Sequence, residues 1–162
     1  MSGRLRAKVL TVSDGVAEGT RDDKSGRAIA ERLTAAGFEV VDHRVVADGI
    51  EAVADALYAI TADFDGLVVT TGGTGFGPRD LTPEGTRVAI DREAPGLVEA
   101  IRRASNADGR GFGMLSRAVA GTRGNALVCN LPGSASGAIE GLEVILPIVP
   151  HALELLAGGR PH

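Results

Sequence analysis

Short apolar runs alternate with longer stretches of helical period along the chain. AKVLTV (7–12), FEVVDHRVV (38–46), GLVVTT (66–71) and NALVCNL (125–131) are rich in β-branched and aliphatic residues and predict four strands. VLTV and LVVTT show little polar alternation, as expected of strands covered on both faces in a parallel sheet. Between the first two strands, Ile29 and Leu33 lie four apart ahead of Gly37, predicting a helix over 25–36 that ends at that glycine. Ile50, Val53, Ala54, Leu57 and Ile60 follow the i, i+3, i+4, i+7 pattern of a second helix over 49–61, starting near Asp48. A third is expected from Thr82 as N-cap, with Pro83 at its first position and Glu84 in its first turn.

A further helix follows Pro95, supported by Leu97, Ile101 and Ala104. At the C-terminal end Ile139, Leu142, Leu146, Val149, Leu153 and Leu156 form a stripe that faces the core or a partner subunit, and Pro147 and Pro150 should kink or split its helix. Residues 17–24 and 106–113 are polar, contain glycine and predict loops. The resulting order predicts an α/β fold of three layers, a doubly wound and mostly parallel sheet, in a single domain over 1–162.

In such sheets ligands bind beyond the carboxyl ends of the strands. Polar motifs follow all four predicted strands: Ser13-Asp14-Gly15, Asp48-Gly49, Gly72-Gly73-Thr74-Gly75 and Pro132-Gly133-Ser134. The chain has 23 glycines, roughly twice the usual ~7% share, and four of them fall within the six residues from Gly72 to Gly77. Bare backbone there can turn successive N–H groups inward as an anion nest, with the helix opening at Thr82 adding a positive end. An ordinary strand-to-helix turn is the plainer alternative.

The segment is neither the phosphate loop G-x-x-x-x-G-K-[ST] nor the dinucleotide fingerprint G-x-G-x-x-G. Asp48 and Asp80 at the same edge would repel each other and a phosphate unless a hard cation lies between them, which predicts Mg²⁺. Equally, Asp48 can serve as a helix N-cap and Asp80 as a turn residue paired with Arg79. Ser116-Arg117 offers a hydroxyl and a guanidinium to an anion, or is simply solvated. Arg102 and Arg103 read as solvated, His43 as structural within a strand, and Cys129 as a small buried apolar residue.

Charge and composition narrow the function classes. With 17 basic against 21 acidic residues, a net charge of −4 and 3% aromatics, no nucleic-acid partner is expected. One cysteine and three scattered histidines (His43, His151, His162) predict neither an internal disulfide nor a zinc-like cluster. No apolar run reaches the ~18 residues of a membrane span, so a cytoplasmic protein without membrane contact is expected. Gly133-Ser134-Ala135-Ser136-Gly137 has alanine where a serine-hydrolase elbow needs its nucleophile.

TVSD (11–14), DKSG (23–26), Asp48, TTGGTGFGPRDLTPEGT (70–86), EAPGL (93–97), MLSRAVAGTRG (114–124) and NLPGS (130–134) together resemble the molybdopterin adenylyltransferases of the Mog/MoaB type. The G domains of plant Cnx and of gephyrin are similar. The resemblance implies transfer of AMP from ATP to the terminal phosphate of molybdopterin, with Mg²⁺ required, in a homotrimer or hexamer. It also implies a possible downstream molybdate-insertion protein as partner.

By motif position Asp48 and Asp80 resemble the functional, metal-holding aspartates. Gly72, Gly73, Thr74, Gly75 and Ser116 resemble phosphate and pterin contacts, while Ser13, Asp14, Asn130, Pro132 and Gly133 resemble parts of the nucleotide-pterin pocket. Gly15, Gly49 and Ala135 depart from the family pattern, which commonly has arginine, a second acid and proline there. A non-catalytic molybdopterin-binding or assembly module on the same fold is the alternative function.

Overall fold

The computed structural model describes residues 3–160, so the outer limits of the expected 1–162 domain, and His162, lie outside the described residues. Six strands form one sheet: β1 (Arg6–Val12), β2 (Glu39–Val46), β3 (Gly66–Thr71), β4 (Arg92–Glu93), β5 (Ala120–Arg123) and β6 (Ala126–Leu131), in the order β2-β1-β3-β6-β5-β4. The first four in that order run parallel, and at one edge β5 pairs antiparallel with β6 and β4 antiparallel with β5. The expected doubly wound, mostly parallel architecture is therefore present.

Helices α2 (Lys24–Ala35), α5 (Pro95–Ser105), α6 (Ala135–Ile145) and α7 (Val149–Leu156) cover one face. α3 (Ile50–Thr61) and α4 (Thr82–Ala89) cover the other. A short helix α1 (Asp14–Glu18) follows β1 directly and runs into the stretch expected to be loop, and a 3-10 turn spans Phe112–Leu115.

Every residue of β3 and β6 is buried, because alternate side chains feed opposite cores. Leu67, Val69, Leu127, Cys129 and Leu131 pack with Ile29, Leu33, Leu142 and Ile145. Val68, Ala126 and Val128 pack with Leu10, Val53, Leu57 and Ile60. Burial pushes the Cys129 thiol up to about 12, consistent with an apolar role. The C-terminal stripe splits near Pro147, and Leu142, Ile145, Val149 and Leu153 face the core. Pro150 does not break α7; it sits in the first turn, where a missing N–H is tolerated.

Two expectations about helix starts need correction. Leu81, not Thr82, is the N-cap of α4, and Thr82 is fully buried, donating its hydroxyl to Gly72 O at 2.8 Å. Gly49, not Asp48, is the N-cap of α3, which frees the Asp48 carboxylate for other partners. No helix of the described residues is long and apolar enough to cross a membrane.

Candidate active site

The chain leaves β1 for β2 on one side of it and returns to β3 on the other, so a topological switch point opens between β1 and β3. The loops after β1, β2, β3 and β6 meet there around a cleft of about 650 Å³ lined by Ser13, Asp48, Gly72, Gly73, Asp80 and Gly133, among others. The four polar motifs, dispersed in sequence, are thus brought to one edge.

The glycine loop approaches the neighbouring strand too closely for a side chain. A Cβ on Gly72 would lie 2.2 Å from Val12 O, and Gly72 and Gly73 have φ of +101° and +70°. The N–H groups of Gly73, Thr74 and Gly75 find no acceptor among the described residues. Gly73 lines the main cleft, so its N–H can be satisfied there by solvent or by an anion.

Arg117 braces this loop from beneath. Its guanidinium donates to Gly75 O (2.8 Å), Asp80 O (2.5 Å) and the Glu84 carboxylate (2.6 and 3.2 Å). Arg117 is thus neither an anion ligand nor merely solvated, the two roles its sequence position suggested. The Arg117 guanidinium, through these hydrogen bonds, holds the Glu84 carboxyl below its ordinary range.

The carboxylates divide into two kinds. Asp14 and Asp48 exchange backbone bonds, Asp14 N–H donating to Asp48 Oδ2 (2.9 Å) and Asp48 N–H to Asp14 Oδ1 (3.1 Å). Arg79 donates to both oxygens of Asp14, each at 3.0 Å, and to Asp48 O at 3.0 Å. Arg79 therefore pairs with Asp14 and not with Asp80, and its hydrogen bonds hold the Asp14 carboxyl below the usual carboxylate range.

Asp48 and Asp80 have no ion-pair partner among the described residues. Burial, reinforced by the charges of Asp14 and Asp80, raises the Asp48 carboxyl above its ordinary value. Asp80 Oδ2 accepts from Gly77 N–H at 2.9 Å, which ties it to the glycine loop. No group of three or more His, Cys, Asp or Glu side chains suited to a metal occurs among the described residues. Two carboxylates without a protein cage fit Mg²⁺, which keeps waters and takes phosphate oxygens as its other ligands.

Not every expected contact lies in this cleft. Asn130 is fully buried beneath it: its Oδ1 accepts from Val119 N–H (3.0 Å), and its amide donates to Thr70 Oγ1 (2.9 Å) and Thr86 Oγ1 (3.0 Å). The expectation of direct ligand contact by Asn130 is thereby corrected; its side chain fastens β6 to β3, α4 and the strand-like segment before β5. Asp14 supports Asp48 and does not line the cleft.

Thr74, Gly75, Ser116 and Pro132 line an adjoining hollow of about 290 Å³, which shares Ser134 with the main cleft. The positive helix end at the cleft is that of α6, whose N-cap Ser134 and first residue Ala135 line it; α4 begins buried. Arg102, read as solvated, donates instead to Ser116 O (3.4 Å) and Ala118 O (3.2 Å).

Sequence reasoning missed Arg21, Lys24 and Ser25, which also line the cleft. It also missed the cluster behind them, in which Thr11 Oγ1 donates to Asp23 (2.9 Å) and His43 Nε2 lies 2.8 Å from Asp23 Oδ2. Asp23 caps α2 by accepting from Gly26 N–H at 3.0 Å, so a helix-start signal at Asp23 was the available clue.

Comparison with known proteins places the chain among molybdenum cofactor biosynthesis proteins. Residues 8–151 match the family described as "Probable molybdopterin binding domain". A molybdopterin adenylyltransferase of Helicobacter pylori is 35% identical over 153 residues, covering 93% of this chain and 86% of that protein. Molybdenum cofactor biosynthesis protein B of Bacillus cereus is 39% identical, covering 91% and 88% respectively.

The chain also spans 49% of a molybdenum cofactor biosynthesis bifunctional protein of Chlorobaculum tepidum, at 37% identity, and so about half the length of that relative. Among solved structures, the molybdopterin biosynthesis enzyme MoaB of Thermus thermophilus superimposes with a TM-score of 0.86 at 45% identity, covering 95% of this chain and 97% of that one.

Proposed function

Because the chain belongs to the molybdopterin-binding domain family, we propose that it is a molybdopterin adenylyltransferase of molybdenum cofactor biosynthesis, moving AMP from ATP onto the molybdopterin phosphate. A phosphate oxygen of molybdopterin forms a bond to the α-phosphorus of ATP. The bond from that phosphorus to the β-phosphate bridging oxygen breaks, and pyrophosphate leaves with the electron pair.

Both reactants are anions, so the protein's task is to hold like charges together in line. The N–H groups of Gly73, Thr74 and Gly75 and the first turn of α6 bind phosphate oxygens. Asp48 and Asp80 would hold Mg²⁺, which supplies charge neutralisation on the triphosphate when bound. Arg79 and Asp14 fix the Asp48 backbone, and Arg117 fixes the glycine loop to Asp80.

The observation that carries the reading is the pairing, in one cleft, of two carboxylates lacking ionic partners with Gly73, whose N–H has no acceptor among the described residues, next to Thr74 and Gly75 in the adjoining hollow. Asp80→Asn tests it: AMP transfer is lost, while the thermal transition and most molybdopterin binding are kept. Full transfer activity in that variant would defeat the assignment. The proposal includes a cytoplasmic setting, a downstream molybdate-insertion protein as partner and a homotrimer or hexamer. Self-association is supported by exposed Phe76, Phe112, Met114 and Leu115.

A further inference from the structure

The turn between α1 and α2 folds back on the start of α1. Thr20 and Arg21 both donate their backbone N–H groups to Gly15 O, at 2.9 and 3.1 Å, and the Thr20 hydroxyl donates to the same oxygen at 3.2 Å. The turn carries the Arg21 side chain across Gly15. A Cβ added at Gly15 would lie 2.6 Å from Arg21 Cδ and 2.9 Å from its Cγ, so the arginine stem occupies the space a side chain at position 15 would need. The same arginine lines the main cleft beside Ser13 and Asp48.

The other arginines beside the site are committed. Arg79 is bidentate to Asp14, and Arg117 is held by Glu84 and two carbonyls. The Arg21 guanidinium has no ion pair or hydrogen bond with any described residue. Lys24, the other cation lining the cleft, stands at the first position of α2, where the helix dipole opposes positive charge. A planar fork of donors, seated by its stem and left without a carboxylate, matches a pair of phosphate oxygens.

We infer that Arg21 is a phosphate-binding, specificity-determining residue of this cleft and that Gly15 is the seat that lets it reach in. The inference rests on the cleft being the phosphate site proposed above. Its test is binding, measured separately from turnover, by calorimetry on the full chain with ATP, inorganic pyrophosphate, adenosine and molybdopterin.

Arg21→Gln should weaken binding of at least one phosphate-bearing ligand by about tenfold or more and leave adenosine binding unchanged, which also reports an intact fold. Loss confined to ATP and pyrophosphate assigns the nucleotide phosphates as the partner, whereas loss confined to molybdopterin assigns the pterin phosphate. Gly15→Ala, which displaces the arginine stem, should reproduce the loss and add nothing further in an Arg21→Gln background. Unchanged affinity of Arg21→Gln for ATP, pyrophosphate and molybdopterin alike would overturn the inference. A wild-type chain that shows the Arg21-dependent binding and transfers no AMP would overturn the adenylyltransferase reading alone.

Discussion

Replacing Arg117 by methionine removes the brace under the glycine loop while keeping much of the side-chain volume. The guanidinium donates to Gly75 O, Asp80 O and both oxygens of Glu84. Arg117 and Glu84 side chains are each 34% exposed, so water re-solvates Glu84 in the variant and the ion pair itself contributes at most about 1 kcal/mol. The two bonds to loop carbonyls add about 1 kcal/mol each. Together these predict a loss of about 2–3 kcal/mol, read as a lower urea midpoint with an unchanged slope.

Activity should fall further than stability explains. Gly75 and Asp80 are the loop's tether points, and a displacement of about 1 Å at a positioning element can cost about 10²-fold in rate. The assay is pyrophosphate release under conditions where the variant is fully folded. Glu84→Gln serves as the comparison: it weakens the ion pair, leaves both carbonyl bonds, and should retain most activity at a cost of about 0.5–1 kcal/mol. An Arg117→Met variant within about 0.5 kcal/mol of wild type, the effect of an ordinary surface substitution, and with full turnover, would refute the brace.

Two further outcomes follow from the polar groups under and within the cleft. Asp48 has a raised carboxyl value in the folded chain, so its contribution to stability is present in full below the ordinary carboxyl value of 3.8 and is lost as pH rises through the folded one. Asp48→Asn should therefore raise the urea midpoint at pH 7, with the gain vanishing in acid, and abolish AMP transfer; no midpoint gain at pH 7 would contradict the burial argument. Asn130→Ala leaves Val119 N–H buried without its acceptor and should cost about 2–4 kcal/mol by urea titration. A loss under about 1 kcal/mol, the size of one ordinary net hydrogen bond, would show that water replaces the amide.

Those parts of the molecule governed by local pattern were legible. The apolar runs at 7–12, 66–71 and 125–131 are strands because β-branched residues buried on both faces leave a short, uninterrupted signature. β5 was hidden because AGTR is short and half polar, although Gly124-Asn125 between it and β6 is a hairpin signal. β4 has two residues and no periodicity to read.

In the site, Asp48, Asp80 and the glycine loop could be placed together because each follows a strand of a parallel sheet. The partnerships could not. Arg79 meets Asp14 across 65 residues, Arg117 meets Glu84 across 33, and Asn130 meets Thr70 across 60, so their roles are fixed only by tertiary packing. Asn130 and Arg117 sat within motif segments, yet their donors and acceptors are satisfied inside the fold, and motif position alone does not separate a ligand contact from its support.

The joining of ATP to molybdopterin in this cleft is measured most directly by incubating the purified chain with Mg-ATP and molybdopterin. The products are resolved by anion-exchange chromatography, beside an ATP-only control. Adenylylated molybdopterin and pyrophosphate are expected in equal amounts, with no turnover when the pterin is left out. Molybdopterin binding with no adenylylated product would contradict the proposed transfer and leave a binding module, and ATP breakdown in the control would indicate a nucleotide hydrolase.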